Sequence, residues 1–551
     1  NPQFRRRAMC AVVAACFVGP EALANPTGAQ VVAGQVSMSQ QGSTLNITNS
    51  PGSVINWQQF SIGAGETTRF IQQSAASAVL NRVVTANPSV LLGTLTSNGK
   101  VFLINPSGIL VGQGARVDVA GFVASTLNMT NEDFAAGKLK FQAGAGAGNV
   151  INEGVITSPS GGQVYLIAPG VTNSGTISTP KGETLLVAGR QVELVDTSTP
   201  GVKVVVSVQG GEAKNLGQIV ADSGRIGIVG ALVQNRGKVS ADSVVGDGSG
   251  RVFLKASGEA RVASGSVTSA NGKNGGKVEI TSETGNVVVE KGATVQANGV
   301  VSGGTVAITA GTLATIDGAV QANGGTQGGT VTVVAPQIRT SGEISAQGGS
   351  GKVQLTAAQT LNLDAGAKVS VNGAQGGAVT LKGATQVTVA QGANVSASGD
   401  TGGTVSVSAP EGTIDVAGTI DASGTTGAGG TIEMSAQSIN VADLAVLSAT
   451  GKDGGTVYIE SRKDDNAEGT TLLAGLIDLF GNDGRGGKAL LLGPRVGIIR
   501  SGRINVSGRT GGGTALVGGD LQGKNDDVQN AQATYVGADA RIEANATETG
   551  E

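Results

Sequence analysis

The chain has 551 residues, 37 of them Lys or Arg and 40 Asp or Glu, for a formal net charge of −3, and it contains no histidine. Glycine fills 91 positions while aromatic residues make up only 3%; the glycine share is more than twice the usual ~7%. This composition excludes a string of ordinary globular domains packed on large side chains, any histidine-based triad or metal site, and the basic face that nucleic-acid binding requires. Hydrophobic residues still reach 39%, mostly Val, Ile, Leu and Ala, so the chain is not disordered. Thin aliphatic strands between small turns describe a core that is narrow and long.

In chain order, Arg5, Arg6 and Arg7 precede an apolar run from Ala8 to Val18 and then Pro20-Glu21-Ala22-Leu23-Ala24. A charged start, an apolar stretch too short to span a bilayer and an A-x-A site predict a secretory signal peptide over residues 1–24, lacking some of its start. Cleavage after Ala24, with Ala22 and Ala24 the two small residues of the A-x-A site, makes Asn25 the mature N-terminus. Cys10 and Cys16 fall in the removed segment, which leaves a mature chain without cysteine. Val13-Ala14-Ala15-Cys16 also resembles a lipoprotein cleavage box, with an apolar run at the short end of the range before it. No later run has the length of a transmembrane helix.

Residues 25–250 read as irregular strand and turn. Val101 to Ile104 is a continuous apolar run, expected for a strand buried on both faces. Asn105-Pro106-Ser107-Gly108 reads as a turn, with Pro presetting φ at the second position and Gly at the fourth. Ile109-Leu110-Val111 resumes the strand. Trp57 and Phe60 read as core or cap residues, since a solenoid end must cover its open edge.

Four stretches of this region carry a resemblance. They are Val54-Ile55-Asn56-Trp57-Gln58-Gln59-Phe60-Ser61-Ile62-Gly63, Val79-Leu80-Asn81-Arg82-Val83, Lys100 to Leu110, and Gly121-Phe122-Val123-Ala124-Ser125-Thr126. In order and spacing they resemble the secretion domain of two-partner-secreted exoproteins, the filamentous haemagglutinin family, specifically over residues 30–130 and more loosely towards Gly250. The family more often has Asn where this chain has Ser107, a departure that leaves the turn intact. The resemblance implies recognition by the periplasmic domains of a dedicated outer-membrane transporter, export through the outer membrane, and an extracellular or cell-surface protein. Asn56, Trp57, Phe60, Asn81, Arg82, Asn105, Pro106, Ser107, Gly108 and Ile109 are the candidate secretion-motif residues. They act either through transporter recognition or by shaping the early coils, and the structural role is the better supported of the two.

Residues 251–551 repeat. A strand usually introduced by Gly-Gly recurs, as in Gly303-Gly304-Thr305-Val306-Ala307-Ile308 and Gly402-Gly403-Thr404-Val405-Ser406-Val407. Its first buried position falls at Val252, Val278, Val306, Val331, Val353, Val379, Val405, Ile432 and Val457, a period of about 26 residues. Each period holds a second strand ending in Asn-Gly or Ser-Gly, such as Val320-Gln321-Ala322-Asn323-Gly324, and a looser third one between them, such as Leu313 to Ile316. Three strands per coil, stacked coil on coil, predict an all-β, right-handed parallel β-helix. Each coil adds about 4.8 Å, so some 20 coils would make a rod of about 100 Å. Gly and Asn are expected at corners needing φ > 0. The polar stretch after Thr514-Ala515-Leu516-Val517 shows no capping element, which reads as a solenoid truncated before its end.

Other chemistry is weighed against plainer readings. Gly144-Ala145-Gly146-Ala147-Gly148 lacks the lysine and strand–helix context of a phosphate loop. Asp464-Asp465-Asn466 with Glu468, or Asn525-Asp526-Asp527, have the look of calcium ligands but also of solvated loop tips. A β-helical polysaccharide lyase or glycosidase needs clustered carboxylates and aromatic platforms. Asp317, Asp364 and Asp415, each following an aliphatic residue in a comparable strand, are the best candidates, with a solvated outward position as the plainer reading. The sequence therefore points to no enzyme and no cofactor. The resemblance favours a surface adhesin with a host-cell, matrix or glycan ligand. The alternatives are a cytolysin or contact-dependent inhibition toxin, active through C-terminal sequence, or iron or haem capture, for which the chain offers no histidine.

Overall fold

A computed structural model describes residues 25–196, 202–208, 210–243, 250–462 and 469–548. The predicted signal peptide, including Ala22 and Ala24, and the acidic cluster at Asp464 to Glu468 lie outside the described residues. The chain divides into two compact units, Asn1–Ala241 with Leu254–Ser257 and Asp242–Phe253 with Gly258–Glu551.

In the first unit, short strands stack in parallel, each on its equivalent one coil earlier. Ser53–Trp57 pairs with Ala78–Val83, which pairs with Thr94–Ile104, then Arg116–Ser125, Gln163–Ala168 and Glu183–Ala188. Alternate side chains point inward, and Val79, Val101, Phe122 and Val164 form one fully buried column. The unit opens on antiparallel pairings, Gln30–Ala33 on Ser53–Trp57 and Val36–Gln41 on Thr44–Asn49. These strands lie across the first coil, so they form the cap. Trp57 and Phe60 are core residues beneath them, 1% and 0% exposed.

Val101 to Ile104 is buried on both faces because the outer face has its own cover. A short helix, Asn131–Ala135, starts at Thr130, whose hydroxyl accepts the Asp133 N–H at 3.0 Å, a standard N-cap. A three-stranded antiparallel sheet, Leu139–Gln142, Gln191–Asp196 and Val202–Val208, stands apart from the coils. Its Phe141 and Val192 are buried, and Phe134 of the helix meets Phe102 edge-on, with ring centroids 5.2 Å apart. A second, extra-helical core thus lies on the outside of the early coils.

The second unit is a regular parallel β-helix of three strands per coil. The column Val278–Val306–Val331–Val353–Val379–Val405–Ile432–Val457 pairs residue for residue through successive coils, and every member is buried. A second column runs Val295–Val320–Ile344–Val369–Val395–Ile420–Leu447–Ile477–Ile504. In several coils the first and third strands merge, as in Thr330–Thr340 and Thr404–Val416. The polar stretch after Val517 continues the coil, since Ala533–Val536 and Arg541–Glu543 pair in parallel with Arg495–Ile498 and Arg503–Asn505.

The corner glycines need correction. Gly304, Gly329 and Gly403 do not adopt positive φ. They are glycine because the corners stack backbone on backbone. A Cβ on Gly304 would overlap the carbonyl oxygen of Gly276, one on Gly329 that of Gly304, and one on Gly403 that of Gly377. Positive φ occurs at a different corner, for example at Gly265 and Gly292. The Asn corners also work through side chains. Asn271 Oδ1 accepts the Asn298 N–H, Asn298 Oδ1 the Asn323 N–H, and Asn323 Oδ1 the Gln347 N–H, each at 2.8 Å. Each coil thereby offers a side-chain acceptor to the backbone of the next.

Candidate functional site

The four stretches singled out in the sequence become four consecutive layers of one stack. Val54 pairs with Leu80, Leu80 with Phe102 and Phe102 with Val123. Segments spread over some 70 residues are therefore adjacent because each supplies the same strand of successive coils.

Inside the stack, Trp57 Nε1 donates to Asn81 Oδ1 at 3.0 Å, and Asn81 Nδ2 donates to the Phe102 carbonyl at 3.2 Å. Three layers are joined by one fully buried polar relay, whose groups would each be costly to leave unpaired in such a core. Phe60 meets Trp57 edge-on at 5.6 Å and stacks on Phe70 at 6.5 Å, filling the core next to it.

The Asn105–Gly108 turn forms as the residues dictate. The Gly108 N–H donates to the Asn105 carbonyl at 3.1 Å, and Gly108 takes φ 123°, open to glycine alone at little cost. Asn105 is fully buried and uses its whole amide. Its Oδ1 accepts the Ser107 N–H at 3.0 Å, while Nδ2 donates to the Asn87 carbonyl and the Ser89 hydroxyl, both at 2.9 Å. Pro106 and Ser107 are half-exposed at the turn's tip, and Ile109 is buried in the following strand. The position that departs from the family pattern contributes its backbone N–H to the turn.

Arg82 faces outward and is clamped by the cover. Its guanidinium donates to the Met129 carbonyl at 2.6 Å and to Asn131 Oδ1 at 2.9 Å, while Nε is buried without a partner. Burial pulls its pKa below the usual arginine value, against the opposing pull of Glu132. Asn56, half-buried, also leaves its Oδ1 unpartnered. Asn25 is seated in the cap region, where Nδ2 donates to the Ser43 carbonyl and Oδ1 accepts from Thr68 Oγ1, both at 2.9 Å.

Sequence reasoning missed a buried asparagine ladder. Asn152 Nδ2 donates to Asn173 Oδ1 at 2.7 Å, Asn173 to Asn215 at 2.8 Å, and Asn215 to Asn235 at 2.9 Å, and all four are fully buried. The available signal is Asn-x-Gly followed two residues later by Ile or Val, at Asn152, Asn173, Asn215 and Asn235. The glycines stack too: a Cβ on Gly175 would overlap the Gly154 carbonyl oxygen, and one on Gly217 that of Gly175.

The carboxylate candidates do not form one group. Asp317 and Asp364 share one coil position, since Ile316 pairs with Thr340 and Thr340 with Leu363. Asp415 does not share it. It pairs with Thr388 and precedes Val416, so it sits two positions earlier in the coil, and the equivalence read from the sequence is corrected. Asp317 accepts from the Ser341 hydroxyl, and Asp364 pairs with Arg339.

The molecule's class is that of a capped parallel β-helix whose early coils carry an extra-helical cover. Residues 22–214 match the family model of the TPS secretion domain, so this segment is similar to the secretion domains of exoproteins exported by two-partner systems. A heme/hemopexin-binding protein of Haemophilus influenzae (strain Rd) is 37% identical over 134 residues, 24% of this chain and 15% of that protein. A second Haemophilus influenzae heme/hemopexin-binding protein is 41% identical over 75 residues, 14% of this chain and 8% of that protein. The chain thus spans under a sixth of the length of either relative. The crystal structure of the HMW1 secretion domain from Haemophilus influenzae aligns at 28% identity over 79% of this chain and 100% of that one, with a TM-score of 0.47.

Proposed function

We propose that this chain is a secreted surface adhesin whose N-terminal domain directs it to a cognate outer-membrane transporter. The carrying observation is that the four motif stretches form consecutive coils inside a TPS secretion domain. Trp57, Phe60, Asn81, Asn105 and Ile109 are all buried. A transporter therefore meets these side chains before the domain folds, and meets afterwards only the surface they shape. Coils contact mainly their neighbours, so folding that starts at the emerging end propagates outward and opposes back-sliding.

Adhesion rests on the repeated outward faces of the second unit, a scaffold for weak contacts summed along its length. The chain works without catalysis; the engagement of Asp317 by Ser341 and of Asp364 by Arg339 supports this, because both carboxylates already serve coil-to-coil contacts. A second reading, capture of haem or hemopexin, is favoured by the names of the two relatives. It ranks lower because the similarity covers so little of those proteins and the chain has no histidine to ligate haem iron.

The test is binding of the purified chain to epithelial cells and immobilised glycans in parallel with hemopexin-coated beads. Cell or glycan binding without hemopexin binding supports adhesion. Hemopexin binding alone replaces it with the second reading.

A further inference from the structure

The cover on the first unit does not seal against the coils. Between Phe102 and Val123 on the outer face and Phe134 and Leu139 of the cover lies a partly enclosed cavity of about 200 Å³. Its walls are mainly apolar, and of the three ionisable side chains that line it Lys100 and Lys138 are basic, while the Tyr165 hydroxyl donates to Glu183 at 2.7 Å; no carboxylate lines it. Among the described residues neither lysine has an ion-pair partner, whereas Lys140 nearby is paired with Glu193 at 3.1 Å. Gly121 leaves room for the Lys100 stem, since a Cβ there would stand 3.1 Å from Lys100 Cγ.

From this geometry we infer that the cavity is a binding site for a medium-chain alkyl carboxylate, its tail among Phe102, Val123, Phe134 and Leu139 and its carboxylate at Lys100 and Lys138. The chemistry follows from the lining. An apolar recess selects a hydrocarbon tail, and two uncompensated ammonium groups select an anion over a neutral or cationic head. At about 30 Å³ per water-sized group, the space holds roughly seven heavy atoms, the tail of octanoate. The site is separate from the export reading and stands whether or not that reading does.

The experiment is isothermal titration of the full chain at neutral pH with hexanoate, octanoate, dodecanoate and octylammonium. The expected result is saturable one-to-one binding of octanoate, tighter than hexanoate and not improved by dodecanoate, with no binding of octylammonium. The double variant Lys100→Glu/Lys138→Glu should lose octanoate binding at least tenfold and gain octylammonium. Circular dichroism of that variant reports its fold, and if it is unfolded the single Lys138→Glu change, at an exposed position, should still weaken octanoate several-fold. Equal binding of octanoate and octylammonium, or no binding of either, would overturn the proposal. So would binding to phosphatidylglycerol vesicles without binding to octanoate, which would mark a lipid-surface contact.

Discussion

The indole of Trp57 and the amide of Asn81 are bonded at 3.0 Å across two coils of the secretion domain, and both are buried. Asn81→Leu keeps the volume close but orphans the Trp57 N–H and removes the side-chain donor from the Phe102 carbonyl, which stays within the strand ladder. An orphaned buried group costs roughly 1–3 kcal/mol. The variant should show faster hydrogen exchange at Trp57 and through Thr94–Ile104, while the second unit exchanges as before, because coils contact mainly their neighbours.

The asparagine ladder predicts a position effect. Asn173→Ala breaks two bonds, to Asn152 and Asn215, whereas Asn152→Ala breaks one ladder bond, to Asn173. Each break leaves a buried amide group unsatisfied, at roughly 1–3 kcal/mol. Urea unfolding of the two variants should therefore rank Asn173→Ala clearly below Asn152→Ala. Equal midpoints would mean that the ladder does not act as a chain of linked bonds.

Glycines of the second unit should fall into two groups. Gly304→Ala drives a methyl into the Gly276 carbonyl and must push neighbouring coils away from each other. Gly265→Ala meets no atom within 4 Å and carries only the strain of φ 76°, about 1–2 kcal/mol. The first should lower the thermal midpoint far more than the second.

These contrasts also mark what the sequence could and could not reveal. The column from Val278 to Val457 was legible because each coil repeats one pattern at nearly fixed length, so burial and register follow from the period. The asparagine ladder was hidden by spacings of 21, 42 and 20 residues. The long gap arises because Gln191–Asp196 and Val202–Val208 leave the coil between Asn173 and Asn215 to build the outer sheet. That sheet was itself illegible, since its strands alternate like coil strands and its third member comes from Leu139–Gln142. The glycine corners were located correctly and explained wrongly, because close stacking between coils cannot be seen within one coil. Of the candidate site, the turn at Asn105 was readable from local chemistry. The partners Asn87 and Ser89 were not, because they are brought there by the previous coil.

Two changes in that turn should differ sharply. Asn105→Ala removes three hydrogen bonds of a buried side chain, to Ser107, Asn87 and Ser89, and should cost about 2–4 kcal/mol in the first unit. Ser107→Asn sits at a half-exposed tip where only the backbone N–H is used, so its effect on the unfolding midpoint should stay within about 0.5 kcal/mol.

The central claim is that the first unit addresses the chain for export. The most direct measurement is the amount of full-length chain in the culture medium of a Gram-negative host that co-expresses the cognate transporter, for the natural sequence and for a deletion of Asn105 to Ile109. The natural chain should be secreted only with the transporter, and the deleted chain should stay in the periplasm despite equal synthesis. Undiminished secretion of the deleted chain, or secretion of the natural chain without the transporter, would contradict it.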